Sequence, residues 1–324
     1  MVHDVAGVAT VQAKLLRSAG HEVDEIALPV TGAAWRWPLK AFALPVRLAG
    51  YAPIGERLRR GGYDVVHVHW LTHGVVGVLS RRPFFVQAHG SDVHLNLKNP
   101  VYRRVTEAVL KRARLVFYVT PELRAPLAAE AGDRLRYLPN PVDVDALAPE
   151  HLPSRVKNVL IFTRLDRAKG VDRIFPAVER LSHSFEITAV EWGPLARSYV
   201  NSYRKWVRFV RPVPRAKIAS FLQGFDVVVG QMRQGTLGLS EVEAMAAGRP
   251  VITGLDSSLY RDDPPPVIEA FGPDAISTEL EQLSVDGSRV GDLARRGIAW
   301  AGRNHSLEHH LDLLEAAYFG SASR

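Results

Sequence analysis

Gly235-Thr-Leu-Gly-Leu-Ser-Glu-Val-Glu-Ala-Met-Ala-Ala-Gly-Arg-Pro-Val-Ile-Thr253 follows the apolar run Phe225-Asp-Val-Val-Val-Gly230 and decides the fold of this chain. It reads as strand, glycine-rich loop, helix and strand, with Gly248 and Pro250 closing the helix. Such a loop lets the backbone approach a ligand closely, and the helix behind it turns free N–H groups and a positive dipole end toward an anion such as a phosphate. Glu241 and Glu243 are both expected on the first turn. A carboxylate there either stabilises the helix start or accepts hydrogen bonds from ligand hydroxyls, and the local pattern leaves both readings open.

A second segment narrows the choice. Asn158-Val-Leu-Ile-Phe-Thr-Arg-Leu-Asp-Arg-Ala-Lys-Gly-Val-Asp172 predicts a strand running into a loop with Arg164, Arg167 and Lys169, then a helix from about Val171. Ligands of open α/β sheets bind outside the carboxyl ends of the strands, so three cations there suit a diphosphate. Arg-Leu-Asp-x-x-x-Lys-Gly resembles the donor-phosphate loop of the retaining glycosyltransferases of family 4, which have the GT-B fold. The run from Glu243 to Val251 is similar to the nucleotide-sugar segment of that family and stands at the expected distance downstream.

The resemblance covers nearly the whole chain, in order. Gly7-Val-Ala matches the first glycine-containing loop, Asp64-Val-Val-His-Val-His-Trp70 a central strand, and His89-Gly-Ser-Asp92 the loop with an active-site histidine. Leu138-Pro-Asn-Pro-Val-Asp143 resembles the hinge before the second domain, and Val210-Arg-Pro-Val-Pro-Arg-Ala-Lys-Ile218 the segment around the nucleobase pocket. The resemblance implies an α/β protein of two Rossmann-like domains with mostly parallel sheets facing a central cleft. Its expected parts are an acceptor-side domain over 1–145, a nucleotide-sugar domain over 146–304, and a helix in 305–324 crossing back to the first domain.

It also implies chemistry: transfer of a sugar from a nucleotide diphosphate sugar, UDP-sugar ahead of GDP-sugar, with retention at the anomeric carbon. Arg164 and Lys169 would meet the charge of the leaving diphosphate, where preorganised cations act most strongly. Gly235, Thr236, Leu237 and Gly238 would supply backbone N–H donors, Glu243 would hold the ribose, His89 would face the sugar, and Gly7 would border the donor. The leaving phosphate takes the acceptor proton in this family, so no separate base, cofactor or metal is expected. One departure stands out: the family's first glutamate, eight positions before Glu243, is replaced by Gly235, with Gln234 beside it. That departure keeps open a nucleotide-sugar-binding protein without transfer activity, and a GT-B nucleotide-sugar epimerase remains a third reading.

Composition agrees with a large two-domain enzyme: 324 residues, 47% hydrophobic and 23% charged. The absence of cysteine removes disulfides, zinc–cysteine sites and thiol catalysis, and fits a cytoplasmic location. Residues 1–150 hold 19 Lys and Arg against 14 Asp and Glu, and the excess lies wholly in 34–60. No DNA or RNA module accompanies that basicity, so nucleic acid is not an expected partner. Within 34–60, Trp35, Arg36, Trp37 and Lys40 form a candidate acceptor or membrane face, aromatics and cations together suiting a peripheral contact with the inner face of the membrane. The bland alternative is an amphipathic helix packed on its own domain, which Pro38 and Pro45 would interrupt. The acceptor would then be a sugar, a lipid-linked species or another small molecule.

Along the chain, apolar runs alternate with helical patterns, as in βα units. The first strand is expected at His3–Ala6, short enough to suggest a trimmed start, and the next at Glu22–Leu28. Gly7 lacks the further glycines of a dinucleotide fingerprint, which disfavours a nicotinamide enzyme. His67 and His69 share one face of a strand, but a metal would need a third ligand from elsewhere, and none is expected.

Overall fold

The computed structural model describes residues 1–4, 7–29 and 39–320, without the side chains of 39–45, 47 and 48. Two compact units divide the chain: Met1–Pro141 together with His310–Arg324, and Val142–His309.

The first unit is built on four parallel strands in spatial order β1 (His67–His69), β2 (Phe85–Ala88), β3 (Leu115–Tyr118) and β4 (Leu135–Tyr137). Val2 bridges Ile26 on one side and Val68 on the other, both parallel, and so lengthens the sheet at the β1 edge. Of the strand expected at His3–Ala6, Val5 and Ala6 lie outside the described residues, and His3 has a φ of 63°, which turns the chain out of extended geometry right after the Val2 bridge. Glu22–Leu28 likewise pairs only at Ile26. Parallel strands are covered on both faces, which explains why their residues read as apolar runs. Val68, Val86 and Val116 face one core with Val76, Val109 and Leu110. On the opposite face Phe85, Phe117 and Leu138 pack against Leu16 and against Leu314 and Tyr318 of the helix Leu307–Phe319. That helix therefore completes the core of the first unit after the whole second unit has intervened in sequence.

Gly7, at a φ of 80°, opens the helix Val8–Ser18, and Asp4 Oδ1 accepts from Ala9 N at 2.8 Å. The helix Leu39–Arg60 continues through Pro45, correcting the expected interruption. Its later turns are held by packing that outweighs the lost hydrogen bond: Tyr51 and Leu58 are buried, and a Cβ at Gly55 would come within 2.7 Å of Leu79 Cβ, so this helix lies close against Val75–Ser80.

The second unit has six parallel strands: β5 (Asn158–Ile161), β6 (Glu186–Val190), β7 (Arg208–Val210), β8 (Val227–Val229), β9 (Val251–Thr253) and β10 (Ile268–Glu269), in spatial order β10-β9-β8-β5-β6-β7. From β5 the chain winds one way to β7 and then restarts on the other side at β8. The gap between the carboxyl ends of β5 and β8 is therefore the topological switch point, where open α/β sheets bind ligands. The helix expected from Val171 is broken into Val171–Ile174, a 3-10 turn Phe175–Ala177 and Val178–Leu181, because Pro176 has no N–H to continue the ladder. Both units are α/β with wholly parallel sheets.

Candidate active site

The two loops singled out in the sequence leave the two strands of the switch point. Arg164 and Lys169 follow β5, and Gly235–Gly238 follow β8. Lys169 Nζ donates to Gln231 Oε1 at 3.2 Å and to Gln234 Oε1 at 2.6 Å, so its ammonium is aimed across the switch point at the second loop. Arg164 stands half-exposed, its Nε 3.9 Å from Asp166 Oδ2. A Cβ at Gly193 would meet Arg164 Cγ at 2.9 Å, and the φ of 111° there suits glycine, so Gly193 makes room for the Arg164 stem.

Gln231, unmarked in the sequence reading, is the hub beneath the glycine loop. It is buried; its N–H donates to Glu241 Oε1 at 2.7 Å, its side-chain amide to Thr236 O, and its carbonyl accepts from Thr253 Oγ1 at 2.7 Å. Glu241 accepts with its other oxygen from Gly238 N at 3.0 Å, closing a capping interaction at the start of the helix Leu239–Ala246. Both oxygens of Glu241 are thus engaged within the protein, and the helix-start reading holds for it. Leu237 N donates to Tyr260 Oη at 3.0 Å. The N–H groups of Leu237 and Gly238 thus meet Tyr260 and Glu241, and these bonds shape the loop. Gly235 takes a φ of 73° and pairs with Leu255, its carbonyl accepting from Asp256 N at 2.9 Å. The strand-like pairing fixes where Gln234 and Thr236 stand.

Glu243 lies beyond the first turn, two residues past Glu241, contrary to the expected placement of both on that turn. It is buried, and Oε1 is 3.1 Å from Arg215 Nη1. Burial pushes its carboxyl above the usual range, while Arg215 pulls it back down and Glu241 adds to the rise. Arg215 sits in the turn Arg215–Lys217, within the segment assigned to the nucleobase pocket, so a carboxylate and a guanidinium from separate segments meet here.

In the first unit, His89 follows β2 and lies beside the end of β1. Its Nε2 is 3.1 Å from His69 Nδ1, and its backbone N–H donates to Asp92 Oδ1 at 2.9 Å. Asp92 is buried and accepts from Leu71 N at 2.9 Å with its other oxygen, tying the loop after β1 to the loop after β2. Burial raises the Asp92 carboxyl to about 6, against the backbone N–H groups that lower it. Burial pushes His89 down to about 3, helped by nearby His3. Trp70, next to His69, has a φ of 77°, and His3 one of 63°; strained non-glycine residues thus flank this corner on both adjacent chain segments. Gly7, also expected at the site, opens the helix whose Ala9 N–H donates to Asp4, next to His3.

Asp92 and His69 carry no role of their own in the sequence, because their partners are set by tertiary pairing. Trp35, Arg36 and Trp37 lie outside the described residues; Lys40 is in the helix Leu39–Arg60, its side chain undescribed. Among the described residues no group of three or more His, Asp or Glu could hold a metal ion, and no helix is long and apolar enough to cross a membrane.

Comparison with known proteins adds to this geometry. Residues 5–146 match the model of Glycosyltransferase Family 4, and residues 156–261 that of Glycosyl transferases group 1. The chain is 26% identical to a D-inositol 3-phosphate glycosyltransferase of Catenulispora acidiphila, covering 87% of this chain and 79% of that protein. It is similar in structure to sucrose-phosphate synthase from Thermosynechococcus elongatus, with a TM-score of 0.76 at 17% identity over 98% of this chain and 94% of the other. Anabaena HepE, solved with UDP and glucose, matches with a TM-score of 0.69 at 17% identity over 93% and 87%. The fold is that of the GT-B glycosyltransferases, and the two family models together span most of the sequence: the chain belongs to glycosyltransferase family 4.

Proposed function

We propose that this glycosyltransferase, an enzyme that moves a sugar from a nucleotide sugar, uses a UDP-sugar and retains the configuration at the anomeric carbon. The observation that carries the reading is Lys169, aimed across the switch point of the second unit at the loop after β8. In the proposed mechanism Arg164 and Lys169 stabilise the diphosphate as negative charge builds on it, and the amides of Gly235 and Thr236 add donors. Glu243 holds the ribose hydroxyls, with Arg215 as the neighbour that favours its ionised form against burial. His89 contacts the donor sugar near the reacting carbon, and Gly7 borders the donor. The leaving phosphate takes the acceptor proton. The domain limits 1–145 and 146–304, with 305–324 as the returning helix, are part of the same proposal. The test is product analysis by NMR with α-linked UDP-sugars and a panel of sugar, inositol-phosphate and lipid-linked acceptors. An α-linked product is expected; a β-linked product overturns retention, and turnover of the nucleotide sugar without any acceptor points to an epimerase.

Gln234 and Glu243 divide the recognition of the donor. Gln234 accepts from Lys169 where the family's first glutamate would stand nearby, so Gln234→Ala is expected to change the preference among sugars carried on one base. Glu243→Ala is expected instead to weaken binding of free nucleotide by about ten-fold, the scale of one lost hydrogen bond to a charged group. Calorimetric titration with free nucleotide and with nucleotide sugars separates them; equal losses of free-nucleotide binding in both variants would sink the division.

The acceptor face is proposed at Trp35, Arg36, Trp37 and Lys40, as a reversible peripheral contact with anionic lipid. Binding to anionic vesicles at low salt, released as salt rises, is expected in co-sedimentation, because screening weakens the cationic contribution. A protein that stays in the supernatant at low salt leaves a non-lipid acceptor as the reading.

A further inference from the structure

His67 and His69 are not part of the chemistry described above, yet both are buried on the helix-covered face of the first sheet. Their rings stack at 4.7 Å between centroids, and His69 in turn stacks on His89 at 5.3 Å. His67 Nδ1 meets Tyr318 Oη of the helix Leu307–Phe319 at 2.5 Å. A column of rings therefore runs from that helix to His89. Burial holds His67 and His69 well below the ordinary imidazole range, so these rings are neutral, each with a single N–H.

Where that proton sits follows from the partners. Of the two nitrogens that face each other across 3.1 Å, His69 Nδ1 and His89 Nε2, one must donate and the other accept. Among the described residues, none pairs with His69 Nε2, which is buried. A proton there would leave a buried donor unmet, while a proton on Nδ1 is used in the contact with His89. We infer that His69 is the positioning residue for His89: its Nδ1–H donates to His89 Nε2, leaving the single proton of the His89 ring on Nδ1, on the far side of the ring from His69. This rests on the proposed role of His89, for which it supplies the detail: His89 offers the ligand a hydrogen-bond donor, suited to a sugar hydroxyl or ring oxygen. His67, stacked on His69 and tied to Tyr318, keeps the His69 ring from turning over. Two features then serve one end, because the backbone of His89 is fixed by Asp92 and its ring by His69.

The test begins with the wild-type protein labelled with 15N-histidine. Long-range 1H–15N correlation spectra, assigned to His89 by comparison with His89→Gln, are expected to show the proton on Nδ1. A proton on Nε2 overturns the inference, whatever the protein's activity proves to be. Two variants then separate positioning from packing. His69→Phe keeps the volume and removes the donor, and is expected to mix the His89 tautomers and lower kcat on the order of ten-fold at unchanged donor KM, the scale on which outer hydrogen-bond partners orient a functional imidazole. His69→Asn, whose amide N–H stands about where the Nδ1–H does, is expected to restore both signals. Wild-type kcat and a single Nδ1–H tautomer in folded His69→Phe would show that His69 only packs. Should His69→Phe fail to fold, the wild-type spectrum still decides, and should no transfer be found with any donor, it does so without an activity assay.

Discussion

Lys169→Ala is expected to lower kcat by about thirty-fold to a thousand-fold, and Arg164→Ala by a similar amount, corresponding to about 2 to 4 kcal/mol per lost stabiliser of the leaving group. The two variants should differ in stability. Lys169 ties the loop after β5 to Gln231 and Gln234 after β8, whereas Arg164 is half-exposed and only loosely paired with Asp166 at 3.9 Å. Lys169→Ala should therefore also lower the melting temperature, and Arg164→Ala should leave it nearly unchanged, since exposed pairs contribute little. Steady-state kinetics at saturating acceptor measure the first effect and thermal unfolding the second. Wild-type turnover in both variants would remove the loop after β5 from the mechanism.

Acidification is expected to destabilise the first unit, beginning below about pH 6.5, the ordinary imidazole pKa. His89 is held down to about 3 in the folded chain, so below 6.5 the unfolded chain binds the extra proton and stability falls with pH. At pH 5 this one ring costs about 2 kcal/mol, and His67 and His69, shifted in the same direction, add to the loss. Asp92 acts the other way. Its folded carboxyl titrates at about 6, above its unfolded value, so protonation returns about 1 kcal/mol by pH 5. Three rings outweigh one carboxyl. Urea unfolding at pH 7.5 and pH 5 should show a clearly lower midpoint at pH 5, and a smaller difference in His89→Gln. An unchanged or higher midpoint at pH 5 would mean that the buried rings are already paired with a compensating charge.

What was legible in the sequence was what is local. Arg164, Lys169, Gly235 and Gly238 all stand in the first loop or turn after their strands, so the alternation of strand and loop alone places them at a carboxyl edge. The role of Glu241 was half-legible: a glutamate three residues after Gly238 carries the spacing of a capping interaction, which would have separated it from Glu243. Gln231 offered no such sign, because its value comes from being buried under a loop whose shape only the fold creates. Asp92 and Leu71 meet because β1 and β2 are neighbours, a pairing that no local pattern announces. His67 and His69 show in the sequence only as an alternating pair on one strand face; their ring neighbours, Tyr318 and His89, come from the fold. Pro45 misled in the opposite sense, since packing against Val75–Ser80 carries a helix past a residue that propensity would use to end it.

The returning helix Leu307–Phe319 also sets a timetable. Leu314 and Tyr318 fill the face of a sheet whose strands, from His67 to Tyr137, are synthesised long before them. During translation, at about 5 to 20 residues per second, the first unit must wait with Phe85, Phe117 and His67 uncovered while all of Val142–His309 is made. The second unit has no such debt to later sequence, since its strands and covering helices are contiguous. The part of the chain that emerges first is the part finished last, and the bond from Tyr318 to His67 marks the moment of completion.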